Sequence, residues 1–114
     1  MTNDLTPRPP AWSILAQALT EGRAVRAHYH GHDRLLCPHA LGWRDGRAKV
    51  LAYQAAGSTS SGALPPAYRD RWRTMFVDEI RDAIIVPDAP WQTADNYTAA
   101  SNGIDRLELV RPLN

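Results

Sequence analysis

The stretch RLLCPHALGWRDGRAKVLAYQ, residues 34–54, decides the fold. Two apolar runs, RLLCPHALGW (34–43) and AKVLAYQAA (48–56), flank Arg44-Asp45-Gly46-Arg47, and Asp-Gly is the dipeptide of a tight two-residue hairpin turn. The second run reads as the most buried strand of the chain. Pro38 cannot donate to a ladder, so the first run has to place it at a sheet edge or a bulge. Downstream, GSTSSGALPPAYRD (57–70) is small, polar and rich in Gly and Pro; loops of this length in compact domains are functional or mobile. WRTMFV (72–77) resumes as a strand, Asp78-Glu79-Ile80 forms a single-turn link, and RDAIIVPD closes the set, ending at Pro87.

Working outward towards the N-terminus, AVRAHYH (24–30) alternates, with Val25, Ala27 and Tyr29 on one face and Arg26, His28 and His30 on the other. Before it, Pro9-Pro10 opens a helix over about 11–21, since proline suits the first helical turn. Ile14, Leu15, Ala18 and Leu19 form its apolar stripe, and Gly22 stops it. Residues 1–10 are expected to be disordered. Residues 88–114 read as a weakly patterned tail whose IDRLELV (104–110) can dock as a last strand. One helix followed by about five short strands at hairpin spacing predicts a mainly β domain over 11–87, a bent antiparallel sheet or small barrel.

The bulk composition narrows the function classes. The chain has 114 residues, enough for one domain with one modest core. No apolar run approaches the roughly 20 residues of a membrane span, so no membrane partner is expected. Cys37 is the one cysteine, which excludes an internal disulfide, and a reducing cytoplasm is the expected location. The formal net charge is +1, yet twelve of the thirteen basic residues are arginine, whose planar fork grips phosphate and carboxylate.

The candidate chemistry follows from that placement. Arg69, Arg71 and Arg73 are two apart and share a face if the strand begins early, and Arg26 and Arg34 can join them. Guanidiniums beside Tyr29, Tyr53, Tyr68 or Trp72 make a site for a phosphate and a stacked base; a solvated face paired with Asp70, Asp78 and Asp82 is the plainer alternative. His28, His30 and His32 have metal-like spacing, but the Gly31-His32-Asp33 turn breaks their face, and no Cys pair supports them. Neither a nucleophile elbow nor a phosphate or dinucleotide fingerprint occurs, so neither a catalytic residue nor a cofactor is expected.

The ordered set Glu21-Gly22-Arg23, Tyr29, Arg34, Pro38, Leu41-Gly42, Gly46, Leu51, Tyr53, Trp72-Arg73 and Val77-Asp78-x-Ile80 resembles the WYL domain family, most of all its short, free-standing members. The resemblance covers about residues 12–86. It implies an SH3-like or Sm-like five-stranded antiparallel small barrel and a ligand-sensing role of the kind found in bacterial defence and transcription regulation. It also implies a basic, aromatic surface for nucleic acid or a nucleotide-like ligand, with His39 on that surface directly after the family's proline. Two positions depart from the pattern: the tripeptide that names the family is Lys49-Val50-Leu51 here, and Glu79 stands where a basic residue is common. The expectation is a non-enzymatic regulatory module that binds single-stranded nucleic acid or a nucleotide. Its ligand face would be Arg34, His39, Tyr53 and Arg73, flanked by Tyr29, Arg71 and Trp72, with loop 57–70 closing over it. A self-pairing homodimer or a module pairing with a partner regulator is the alternative, and a metal-dependent enzyme using the histidines ranks third.

Overall fold

A computed structural model describes residues 8–98 and 103–112; the expected disorder of 1–10 therefore falls mostly outside the described residues. The helix α1 spans Ala11–Glu21 and ends at Gly22, whose φ of 69° puts it in the left-handed region while its N–H donates to the Ala18 carbonyl. Trp12, Leu15, Ala18 and Leu19 are buried, so the stripe faces inward, and Trp12 stacks on Trp43 of the sheet at 5.3 Å. Burying a side chain as completely as Leu15 contributes roughly 1.5–3 kcal/mol.

Strands β1 (Ala24–Tyr29), β2 (His32–Arg44) and β3 (Arg47–Thr59) form two successive hairpins. His30-Gly31 and Asp45-Gly46 make the turns, with φ values of 51° and 79°, and of 50° and 77°; two successive positive values are what a twist-matched two-residue hairpin demands. Beyond β3 lie the short β4 (Gly62–Ala63), a 3-10 turn Tyr68–Asp70, β5 (Trp72–Phe76), a 3-10 turn Val77–Glu79, β6 (Ile80–Val86) and β7 (Arg106–Val110). The hydrogen-bonded order is β4-β3-β2-β1-β6, with β5 on β3 and β7 on β2.

This is a mainly β fold with one helix, as the patterning indicates, but the described residues hold seven strands rather than five, and the antiparallel sheet is not closed. The difference has two sources. The loop 57–70 folds back into a small hairpin, in which Ser58 pairs with Ala63 and Thr59 with Gly62. The docked strand of the tail is the other: β7 pairs with β2 from Ala40 to Trp43. The sheet nevertheless curls strongly, because β5 lies beside β3, β6 lies beside β1, and only the turn Val77–Glu79 joins them. The Tyr29 hydroxyl spans that gap by accepting from the Phe76 amide at 3.0 Å.

Pro38 sits at a bulge, not an edge. β2 is flanked by β3 from Arg34 to Arg44, and its register with β3 shifts between Pro38 and Ala40. On its other side β2 pairs with β1 as far as Leu36 and with β7 from Ala40 onward. The missing N–H of Pro38 falls where the strand changes partners, so no ladder bond is lost. Gly42 is required by the second partner: a Cβ there would lie 2.3 Å from the Arg106 carbonyl oxygen.

Among the described residues, no helix is long and apolar enough to cross a membrane.

Candidate functional site: an arginine cleft and a roofed histidine

Arg34 enters β2 opposite Ala27 of β1 and Gly57 of β3. Gly57 has a φ of 100°, and a Cβ on it would meet the Asp33 carbonyl at 2.2 Å, so only glycine lets the two strands approach here. The β3 register shifts just before this point, between the pairs at Leu35 and Leu36. That bulge turns the 57–63 hairpin back over the start of β2. Arg34 is consequently only 4% exposed.

Its partners among the described residues are all uncharged. One terminal nitrogen donates to Gln54 Oε1 at 3.3 Å; the other donates to the Tyr29 carbonyl at 3.2 Å and to Ser60 Oγ at 3.4 Å. The guanidinium lies 5.2 Å from the Tyr29 ring centroid. Its Nε is buried without an acceptor, and among the described residues no carboxylate pairs with it. Burial, and secondly the nearby Arg73 guanidinium, pull Arg34 below the usual arginine value. Among the described residues Arg73, on β5, donates to the carbonyls of Asp70 and Trp72, at 3.1 and 2.9 Å.

Both arginines line one cleft of about 460 Å³, together with Tyr29, His30, Pro65 and the hydroxyl residues Thr59, Ser60, Ser61 and Thr74. Among the described residues no carboxylate lines it. Glu79, which the sequence places near the expected positive surface, turns to His30 and Arg47 instead. Those bonds hold its carboxyl below the usual range.

The other expected ligand residues gather elsewhere. His39 is 2% exposed and Tyr53 likewise 2%. The His39 ring packs against Trp72, Trp91 and Tyr97 at 4.7, 4.7 and 4.9 Å, with Trp72 in turn against Tyr53 at 5.3 Å. Its Nδ1 lies 2.7 Å from the Cys37 carbonyl, so Nδ1 carries the proton, and Nε2 accepts from Thr93 Oγ1 at 2.8 Å. Its own carbonyl accepts from the Arg111 amide and the Tyr97 hydroxyl. Burial is the main reason His39 is pulled down to about 4. The segment 88–98 thus roofs His39, which is structural and neutral, and does not leave it on a ligand-facing surface.

The arginine triplet also disperses. The 3-10 turn at Tyr68–Asp70 delays β5 until Trp72, so the two-residue spacing never becomes a strand face. Arg69 pairs with Asp95, Arg71 bonds the Pro65 carbonyl at 2.8 Å, and only Arg73 reaches the cleft. Arg26 is exposed and out of phase with Arg34, whose partner on β1 is Ala27. The three histidines point to three separate partners, Asp33, Glu79 and Ser58.

Gln54 is the site residue that the patterning missed. It is fully buried, receives Arg34, and donates to the carbonyls of Ala56 and Ser58, tying the arginine to the overlying hairpin. Its signal in the sequence was a lone amide inside the apolar run LAYQAA. Comparison of the chain with family models, curated proteins and solved structures finds no match.

Proposed function

We propose that this protein is a non-enzymatic sensing module that binds a negatively charged ligand, a nucleotide or a single-stranded nucleic acid, in the cleft between Arg34 and Arg73. One observation carries the reading: Arg34 is buried, keeps an unbonded N–H, and has a second guanidinium rather than a carboxylate beside it. A buried charge is costly unless paired, and an anionic ligand supplies the missing pair. The cleft volume falls within the roughly 300–1,000 Å³ of small-molecule sites. The resemblance to WYL domains points the same way, since Arg34 and Arg73 are two of the positions that carry it. In the same reading, β1, β2, β3, β5 and β6 are the five strands of a small SH3-like barrel, open only between β5 and β6.

Recognition would work by neutralising phosphate, so affinity should fall with salt. The test is fluorescence anisotropy of a labelled, 5′-phosphorylated single strand at low and moderate salt. Binding that weakens with salt, and by about tenfold more in Arg73→Ala, is expected. No binding at low salt, or a folded Arg73→Ala protein with unchanged affinity, would remove the assignment.

A further inference from the structure

The depth of Arg34 and the state of the nearby aromatic rings restrict what the cleft can hold. Tyr29 is sandwiched between His30, whose ring stacks on it at 4.0 Å, and the Arg34 guanidinium. Tyr53 is buried, and Trp72 is covered by Tyr97 at 5.5 Å. The platform on which successive bases of a bound strand would stack is therefore already occupied by the protein's own side chains, and affinity has to come from charge. The lining offers two guanidiniums and several hydroxyl donors, with no acid among the described lining residues. An internal phosphodiester brings a single charge and is flanked by sugars on both sides, which keeps it away from a side chain only 4% exposed. A terminal phosphate has one substituent, three acceptor oxygens and about −1.5 to −2 charge at neutral pH. It can enter end-on and meet both arginines.

We infer that the cleft selects a terminal phosphate monoester, on a free nucleotide or at the end of a single strand, over a backbone phosphodiester. This rests on the reading of the cleft as an anion site and goes further by naming the chemical group. Ser60, bonded to Arg34 at 3.4 Å from the tip of the 57–63 hairpin, is the neighbour the incoming oxygens displace or join.

The experiment compares one short labelled strand with a 5′-phosphate and the same strand with hydroxyls at both ends, with AMP, adenosine and inorganic phosphate as competitors. The phosphorylated strand should bind at least about tenfold more tightly, and AMP but not adenosine should displace it. In Arg73→Gln, a substitution at a half-exposed site, that preference should shrink because binding of the phosphorylated strand weakens. Arg34→Lys, which keeps the charge and loses the fork, should do the same. Equal affinity of the two strands would overturn the monoester assignment and leave the anion site standing. Failure of the strands, AMP and phosphate alike would overturn both. Where binding holds, the order of AMP against the strand tells a free nucleotide from a strand end as the source of the phosphate.

Discussion

Arg34 and His39 lie on the same strand and are exposed by only 4% and 2%, yet their surroundings differ in kind. Both ring nitrogens of His39 are bonded, its carbonyl is bonded twice, and three aromatic rings enclose it. Arg34 keeps a permanent charge, an orphan N–H and an open side towards a cleft. Burial by itself therefore does not separate a structural polar residue from a functional one. The separating property is how completely the surrounding chain satisfies it.

The contrast can be broken most forcefully at His39. His39→Ala empties the centre of the aromatic cluster and leaves Thr93 and the Cys37 carbonyl without their partner; a loss of roughly 3 kcal/mol is expected in urea unfolding. A change below about 1 kcal/mol would mean that the 88–98 roof does not depend on the ring.

The next effect is on acid stability. His39 is pulled from an ordinary value of about 6.5 down to about 4, mainly by burial, against the opposing Cys37 hydrogen bond. Between those values the unfolded chain takes up a proton that the folded protein refuses. The unfolded state thus binds more protons, and stability falls as pH drops from about 6.5 towards 4, by roughly 2–3 kcal/mol, while the contribution is complete above that window. Unfolding midpoints across this range should show that slope in the parent and lose most of it in His39→Gln. An undiminished slope in the variant would place the acid sensitivity in other groups.

The smallest stability effect sharpens the contrast from the other side. Arg34→Met relieves an unpaired buried charge, which offsets the cost of leaving Gln54 Oε1 and the Tyr29 carbonyl without their long, weak bonds from it. The folding free energy should move by less than about 1 kcal/mol in either direction while anion binding disappears. A loss as large as that of His39→Ala would make Arg34 a structural residue after all.

Much of this architecture was legible from local signals. The helix stop at Gly22, the Asp45-Gly46 turn and the short link after Phe76 each rest on backbone chemistry that a few residues specify, and Pro38 announced an edge or a bulge without deciding between them. The site was only half legible. Arg73 stood out as an arginine embedded in an apolar strand and Arg34 as a position of the family pattern, and they do meet in one cleft. His39 looked equally promising because nothing periodic in 88–98 indicates that Trp91 and Tyr97 will cover it. That cover is tertiary packing between segments far apart in the chain. Likewise, the alternation of Arg69, Arg71 and Arg73 promised a shared face, and one 3-10 turn was enough to undo it.

The exchange of partners along β2 has a consequence for how the chain assembles. β1, β2 and β3 are joined by two-residue turns and can zip from local contacts, whereas the outer half of β2 must wait for a strand more than half the chain length away. Late, long-range pairing of this sort raises contact order and slows completion of the fold. Until β7 arrives, the backbone of Ala40–Trp43 presents an unprotected ladder to any other extended peptide, and β7 is the chain's own safeguard against that encounter.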